Sequence, residues 1–329
     1  MSYDKEKQVA TAACLKAAKL CEKVRKTLSD VKSMLKDDKS PVTIADYGSQ
    51  ALICHGLKEN FPDDPIIAEE NAGDIKEMSE QRRLITHYVQ QQCKDKISDE
   101  DVLRWIDYGR GNIAHRYWTL DPIDGTKGYL RGDQYAIALA LVIGGQIVLG
   151  IIACPALDEG MIFWAVRNHG AYRQDIEQQT YPVRIKTIQN DFDRSQLQYV
   201  ESIENTLCDH EKQDKVAQLL GISTPSIRLD SMTKYCLVAS GKVGLYLRFP
   251  SPNKVDYREN IWDHAAGVIV VEESGGYVTD MDGKELNFHD NIKMLNNRGV
   301  IVSNNITIHQ QLLHVIKQYE QSKRESSVD

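Results

Sequence analysis

The sequence predicts an α+β protein whose second half is of the α/β type, and three observations carry this prediction. Segments with apolar residues three or four positions apart open and close the chain, as in amphipathic helices. Consecutive apolar segments joined by short glycine turns fill the middle, as in antiparallel hairpins. After about residue 190, short apolar segments alternate with helical ones. We therefore expect two domains, 1–195 with an antiparallel sheet and 196–329 with a mixed sheet.

In the first half, apolar spacing predicts a helix over residues 4–35, which the prolyl segment Asp37–Pro41 would end. A second helix is expected at about 45–60, and residues 74–95 have a polar helical pattern. Ser98 and Asp101 form a capping-box signature for a further short helix. Strands are predicted at 66–68, 117–121, 135–143, 146–152, 161–166, 171–173 and 183–187.

In the second half, strands and helices follow one another closely. Gly275 and Gly276 are expected to end one of these helices. Strands are predicted at 197–201, 226–229, 243–247, 277–279 and 299–302, and helices at 211–220, 232–240, 263–273 and 306–321.

Composition narrows the function classes. The chain of 329 residues is 42% apolar and 26% charged with a formal charge of −7, which argues against binding to nucleic acids or to membrane surfaces. A small anionic substrate is still compatible with this charge. Seven scattered cysteines without a Cys-x-x-Cys pair predict reduced thiols and a cytoplasmic protein. No long heptad pattern favours assembly, so we expect a monomer.

The segment Asp121–Thr126 reads D-P-I-D-G-T after a predicted strand. A strand end with a proline-fixed turn would hold Asp121 and Asp124 close together, with the Ile123 carbonyl directed inward. Two carboxylates and a carbonyl are oxygen ligands suited to magnesium. Gly125 would let a ligand approach, and the backbone amides after it could hold a phosphate. Taken alone, the segment is more simply interpreted as a surface turn.

Three further acids lie at the edges of predicted elements, where they could face a shared cleft. Asp46 stands near a helix start, Glu69 follows a strand, and Asp263 is part of W-D-H-A-A-G. Each has a simpler interpretation: Asp46 and Asp263 as helix N-caps, and Glu69 as a solvated acid.

Together these segments resemble the inositol monophosphatase-like, lithium-sensitive magnesium phosphatases, and within them the 3′(2′),5′-bisphosphate nucleotidases. The resemblance runs from about residue 5 to about residue 320 and implies a layered αβαβα sandwich. The superfamily pattern is present in Glu69–Glu70, Asp121–Thr126 and Trp262–Asp263. The nucleotidase pattern is present in Ser40–Thr43, Lys127–Gly132, Leu229–Ser231 and Lys234–Cys236.

The resemblance also implies roles for these residues. Asp46, with Thr126, would position and deprotonate the attacking water, and Glu70 and His264 would support the metal ligands. Direct in-line attack is expected, because the sequence has no motif for a Cys or Ser nucleophile. Two or three Mg²⁺ ions would be held by Glu69, Asp121, the Ile123 carbonyl, Asp124 and Asp263.

A substrate clamp is implied in the second half. Two basic groups, a hydroxyl and an imidazole are suited to an anion, although on the residues alone they could be solvated surface groups. The sequence around His210 departs from the family pattern, and the segment Phe249–Lys254 is slightly longer than the corresponding segment of the family. Substrate binding is assigned by resemblance to Gly125, Thr126, His210, Ser231, Lys234 and Arg248.

The implied activity is Mg²⁺-dependent removal of the 3′-phosphate of 3′-phosphoadenosine 5′-phosphate (PAP), giving AMP and phosphate. The corresponding phosphosulfate, PAPS, is expected as a second substrate and inositol 1,4-bisphosphate as a further candidate. Lithium inhibition follows from the same resemblance. Two alternatives remain: an inositol polyphosphate 1-phosphatase or other sugar phosphatase of the superfamily, and a nucleotide- or metal-binding protein without turnover.

Overall fold

A computed structural model describes residues 2–27, 34–35, 41–177, 181–186, 197–204, 208–254 and 256–325. In this part of the chain, no helix combines the length and the apolar character that crossing a membrane requires. Short 3₁₀ helices cover Ala72–Ile75 and Ile261–Asp263. The α-helices are α1 (Asp4–Thr27), α2 (Ile44–Asn60), α3 (Ser79–Gln90), α4 (Asp99–Asp107), α5 (Thr126–Arg131), α6 (His210–Leu219), α7 (Thr233–Ala239), α8 (Ala265–Ser274) and α9 (Ile306–Glu325).

The strands form two large sheets and one small hairpin. The first sheet has the order β3-β4-β5-β6-β7-β8-β9, and the second has the order β11-β10-β12-β14-β13. Within the second sheet parallel and antiparallel pairs are mixed. The strands are β1 (Met34–Leu35), β2 (Pro41–Val42), β3 (Ile66–Ala68), β4 (Arg116–Asp124), β5 (Ala136–Ile143), β6 (Gln146–Cys154), β7 (Met161–Val166), β8 (Gly170–Asp175), β9 (Val183–Ile185), β10 (Tyr199–Glu201), β11 (Ile227–Arg228), β12 (Leu245–Arg248), β13 (Tyr277–Thr279) and β14 (Val300–Ser303).

Three apolar cores separate five layers. The first core lies between the helices α1 and α2 and the first sheet. The second lies between the other face of that sheet and α7, α8 and the second sheet. The third lies between the second sheet and the helices α6 and α9. Side chains alternate across a strand, and β5 shows this pattern on both faces. Its Ile137, Leu139 and Leu141 enter the first core, whereas Ala138 and Ala140 enter the second. The predicted αβαβα sandwich is confirmed.

The small-residue face of the first sheet receives α8, which packs on β5 to β8. A Cβ atom built on Gly150 of β6 would lie 2.4 Å from Cγ2 of Ile269 and 2.9 Å from the carbonyl oxygen of Ala266. Only a glycine permits this contact, because no real Cβ atom approaches so closely. The close approach sets the depth of α8, and α8 begins directly after Asp263 and His264.

Most predicted elements are present within a few residues of their expected bounds, but the first helix is shorter than predicted. α1 ends at Thr27, and Met34–Leu35 pairs as a strand with Pro41–Val42. The helix prediction is therefore wrong at Met34–Leu35. The predicted stop at 37–40, Ser40 of the nucleotidase pattern and the predicted domain boundary at 195/196 lie outside the described residues. The division into two domains stays a prediction.

His309 of α9 makes stability depend on pH. It is buried, with Nδ1 3.0 Å from Ser303 Oγ and Nε2 2.9 Å from Thr279 Oγ1, and burial lowers its pKa to about 4. Unfolded histidine has a pKa near 6.5, so the unfolded state binds the proton first as the pH falls, and stability is lost between the two values. We expect protonation of this residue to lower the free energy of unfolding by roughly 2 kcal/mol between pH 7 and pH 5.

Urea unfolding of the wild type and of His309→Gln at both pH values measures this effect. The variant should be less stable at pH 7 but should lack that part of the pH dependence. His314, exposed on the same helix, provides the control: His314→Gln should keep the wild-type slope. Equal slopes for wild type and His309→Gln would refute the prediction.

Candidate active site

Two neighbouring parallel strands bring the first acids together. β3 and β4 run parallel, with Ala68 opposite Leu120, so Glu69 and Asp121 follow at the same edge of the sheet. The other described pairs of this sheet are antiparallel. Glu69 is half-buried and Asp121 is buried. The parallel pair is therefore the local reason why two acids distant in sequence meet.

Helix α2 fixes the backbone directly after Glu69 and Asp121. Ser49 Oγ donates to the carbonyl oxygen of Pro122 at 2.9 Å. The Gln50 side chain pairs with the backbone of Glu70, donating to its carbonyl oxygen at 2.7 Å and accepting from its N–H at 2.8 Å. Since the same helix carries Asp46 in its first turn, one rigid element positions three of the predicted acidic segments.

The D-P-I-D segment is part of β4, so the predicted strand end at Asp121 is wrong. Asp121 lies opposite Ala138 and Asp124 opposite Ala136, with a register shift between them. This bulge adds one residue and accommodates Pro122, which has no N–H for the ladder. In a regular strand, residues three positions apart face opposite sides. The extra residue cancels that difference and lets both acids face the same side.

Asp46 and Thr126 lie in hydrogen-bond contact. Asp46 Oδ2 accepts from the Thr43 hydroxyl at 2.6 Å and from the Thr43 N–H at 2.8 Å, while Oδ1 accepts from Thr126 Oγ1 at 3.2 Å. Thr126 Oγ1 is also 3.2 Å from the Ile123 carbonyl oxygen. Thr43 is the N-cap of α2, so the alternative interpretation of Asp46 as an N-cap is wrong; it is the N3 partner in a capping box.

Gly125 brings the two halves of the chain into contact. It has φ 86°, in the left-handed region that favours glycine, and it begins α5. A Cβ atom there would lie 3.0 Å from Cβ of Ser231 in the second half. Ser231 itself has φ 68°, a conformation that costs a non-glycine residue energy and is often found at ligand sites.

A cavity of about 210 Å³ is lined by residues from both halves. The described lining does not include Asp46, Glu70, Asp121, Ile123 or His210. Nine of the predicted site residues do line it: Glu69, Asp124, Gly125, Thr126, Ser231, Lys234, Arg248, Asp263 and His264.

The charges around this cavity are unbalanced. Its described lining holds six carboxylates against three lysine or arginine side chains. Burial raises the pKa of Asp124 to about 6, with Glu69 adding to the increase and Lys234 opposing it. Burial likewise raises the pKa of Asp263 to about 7, helped by Glu259. Buried carboxylates so close together repel one another when they are ionised, and binding of a cation would relieve this repulsion.

The donor types fit a hard cation such as Mg²⁺. Within the described residues, no group of three His, Cys, Asp or Glu side chains is gathered closely enough to form a metal site by itself. Mg²⁺ does not require such a group, because it is commonly held by one or two carboxylates together with waters and substrate oxygens. Glu69, Asp124 and Asp263 are the predicted ligands that line the cavity.

Two basic residues face the acids from the second half. Lys234 is buried, donates to the Ser231 carbonyl oxygen at 2.7 Å, and has a pKa lowered by burial to about 8. Arg248 Nη1 donates to Ser202 Oγ at 3.0 Å. His210 does not join them in the described lining; its Nε2 lies 2.9 Å from the Ser202 carbonyl oxygen, one contact removed from Arg248.

Glu259 is a site residue that sequence reasoning missed. Its carboxylate lies between Arg248, with which it forms an ion pair, and His264, whose Nε2 is 3.0 Å from Oε2. The available signal was its position four residues before Asp263 in Y-R-E-N-I-W-D. That signal is weak, since the spacing alone does not distinguish a buried carboxylate from a surface one.

The match to a family model decides the family. The model described as "Inositol monophosphatase family" matches residues 4–321, nearly the whole chain. The chain belongs to the inositol monophosphatase family. Members of this family are generally metal-dependent, and the acid-rich cavity agrees with that. Solved structures of the family share the fold: the Thermotoga maritima IMPase has a TM-score of 0.66 at 23% identity, covering 97% of this chain and 99% of that one.

Curated relatives confirm the resemblance to bisphosphate nucleotidases. A 3′(2′),5′-bisphosphate nucleotidase of Schizosaccharomyces pombe is 40% identical over 331 residues, covering 92% of each chain. The 3′(2′),5′-bisphosphate nucleotidase 1 of Candida albicans is 38% identical, again covering 92% of each. An Arabidopsis thaliana protein of the latter name is 41% identical over 84% of this chain and 85% of its own.

Proposed function

We propose that this chain is a Mg²⁺-dependent 3′(2′),5′-bisphosphate nucleotidase that removes the 3′-phosphate of PAP, giving AMP and phosphate. One observation carries the proposal: an acidic cluster that includes Glu69 and Asp124 and the basic pair Lys234 and Arg248 line the same cavity. A bisphosphate has two phosphate groups, of which only one reacts, so the two require different surroundings. The reacting phosphate would lie on the acidic side with its metal ions, and the other phosphate would lie against Lys234 and Arg248.

Glu69, Asp124 and Asp263 would hold Mg²⁺ from the cavity wall, with Asp121 and the Ile123 carbonyl as further ligands. Bound Mg²⁺ would neutralise the reacting phosphate and activate water, and two or three ions are expected. Asp46 and Thr126 would orient the attacking water. The buried carboxylate of Asp46 accepts a hydrogen bond from the Thr126 hydroxyl and so fixes the direction of that hydroxyl. Because Asp46 is buried and Thr126 lines the cavity, the Thr126 hydroxyl would accept the proton of the attacking water and pass its own proton to this carboxylate.

The second half would select the ester. Lys234 and Arg248 are anchored by the Ser231 carbonyl oxygen and by Ser202 Oγ, so their orientation is set before the substrate binds. Ser231 would add a hydroxyl donor near Gly125 and Thr126. His210 would hold the backbone of Ser202, the residue whose hydroxyl contacts Arg248. PAPS, which carries the same 3′-phosphate, would be a second substrate.

Phosphate release from a substrate panel tests the proposal. We expect PAP and PAPS to be hydrolysed with the highest kcat/KM, and inositol 1,4-bisphosphate, inositol 1-phosphate and fructose 1,6-bisphosphate to follow. Inositol 1,4-bisphosphate as the best substrate would instead identify an inositol polyphosphate phosphatase. Binding of PAP without release of phosphate would support the alternative of a protein without turnover.

Metal removal should abolish the activity. The cavity has more acids than bases, so without cations it repels a phosphate dianion. We expect a chelator to lower the rate on PAP by at least ~100-fold, as several kcal/mol of charge stabilisation are lost, and added Mg²⁺ to restore it. Inhibition by Li⁺ at fixed Mg²⁺ is measured in the same assay. Full activity after exhaustive chelation would contradict the metal assignment.

A further inference from the structure

A continuous chain of polar side chains runs along the wall of the cavity. The Tyr235 hydroxyl lies 2.8 Å from His264 Nδ1, His264 Nε2 lies 3.0 Å from Glu259 Oε2, and Glu259 Oε1 forms an ion pair with Arg248 Nε. All four residues line the cavity. Three of them, Arg248, Glu259 and His264, also line a smaller cavity beside it, so they form the wall between the two.

The hydrogen-bond directions in this chain are set by its chemistry. Glu259 can only accept when ionised, and it is ionised here: burial opposes the charge, but Arg248 and His264 hold its pKa at about 2. Nε2 of His264 therefore donates to Glu259, and its Nδ1 accepts from the Tyr235 hydroxyl when the ring is neutral. Each oxygen of Glu259 has a defined partner, one basic side chain on one side and one imidazole on the other.

These contacts hold the guanidinium of Arg248 from two directions. Glu259 engages Nε, and Ser202 Oγ lies 3.0 Å from Nη1. The guanidinium is a planar group whose donors lie in fixed directions, so two anchors define its orientation. An arginine held in this way can meet a phosphate without first losing the freedom of a long side chain.

We propose that Glu259 is a positioning residue: it fixes the guanidinium of Arg248 for the second, non-reacting phosphate of a bisphosphate substrate. The inference rests on the proposed function and deepens it. Glu259 acts through Arg248 and not by touching the substrate, because both of its oxygens are engaged within the protein. Its loss should therefore matter only for substrates that have a second phosphate.

Glu259→Gln tests this with two substrates that differ by one group. On PAP we expect kcat/KM to fall about 10- to 100-fold, mainly through KM, because a charge-assisted contact is lost from binding. On adenosine 3′-monophosphate, which lacks the 5′-phosphate, we expect a change of less than about threefold. The double variant Arg248→Ala/Glu259→Gln should be no worse on PAP than Arg248→Ala alone.

Glu320 provides the matched control. It too is a carboxylate with a pKa of about 2 that bridges two basic groups, Arg298 and Lys212, away from the cavity. Glu320→Gln should lower thermal stability but leave the ratio of the two substrates unchanged. Glu259→Asp keeps the charge but is too short to reach both partners, and serves if Glu259→Gln does not fold. We expect it to lose activity on PAP in the same direction.

The outcomes separate the inference from the proposed function. Equal losses on PAP and on adenosine 3′-monophosphate would show that Glu259 acts on the reacting end through His264 and Asp263, and would overturn the inference alone. Unchanged kinetics on PAP in well-folded Glu259→Gln or Glu259→Asp would also overturn it. A wild-type protein that does not hydrolyse PAP would overturn the proposed function, and the inference that depends on it would fall as well.

Discussion

Asp124→Asn is expected to lower kcat on PAP by about 10³-fold or more, while the fold stays intact. The substitution removes one anionic metal ligand from the centre of the acidic side, and the charge stabilisation lost is worth several kcal/mol. Stability should not fall, because burial and the neighbouring Glu69 already disfavour the charged form of Asp124. Phosphate release and thermal unfolding, measured on the same preparation, test both parts.

A buried acid away from the cavity is the control for this variant. Asp280 is fully buried and accepts from the backbone N–H groups of Asp282 and Lys284. Asp280→Asn should lose stability and keep its rate per folded molecule. If Asp124→Asn retained wild-type turnover, the metal site would have to be placed elsewhere.

Asp46→Asn is expected to lower kcat by roughly 10²- to 10⁴-fold, the range for loss of a general base. KM should change little, because Asp46 does not belong to the described lining of the cavity. The helix cap should also weaken, since the N3 carboxylate that accepts from the Thr43 backbone is lost. We expect about 1 kcal/mol from that source.

The chain contains a second capping box that separates these two effects. In α4, Ser98 and Asp101 make the same pair of contacts, each 2.9 Å, and neither residue lines the cavity. Asp101→Asn should therefore lose a similar amount of stability and no activity. A similar drop in kcat in both variants would indicate that Asp46 acts only as a cap.

The acidic side of the site could be predicted from sequence because its residues lie next to segments with a clear apolar pattern. Glu69 and Asp121 follow apolar strand segments, and Asp263 precedes a helix with a glycine stop at Gly275. Such boundaries depend on local composition, which a single sequence contains. What it does not contain is the pairing of strands: the parallel pair of β3 and β4 joins residues that are 52 positions apart, such as Ala68 and Leu120.

Three features were beyond the reach of local patterns. The bulge at Pro122 depends on the register between β4 and β5, which becomes visible only when both strands are placed. The contact between Gly125 and Ser231 joins segments from opposite halves of the chain. Glu259 is recognisable only by its partners, because its contacts with Arg248 and His264 stabilise its buried charge. The helix prediction is wrong at Met34–Leu35 because the pairing of these residues with Pro41–Val42 is not visible in local apolar spacing.

The alanine and glycine face of the first sheet makes the reaction rate depend on residues that no substrate would touch. Ala138, Ala140 and Gly150 lie on the face that receives α8, and α8 begins directly after Asp263 and His264. The depth of α8 would therefore influence the distance between Asp263 and Asp124 across the cavity. A displacement of about 1 Å at a reacting centre can cost two orders of magnitude in rate. A substitution that adds a methyl group on this face, above all at Gly150, would therefore displace α8, and we expect it to lower the reaction rate as well as the stability.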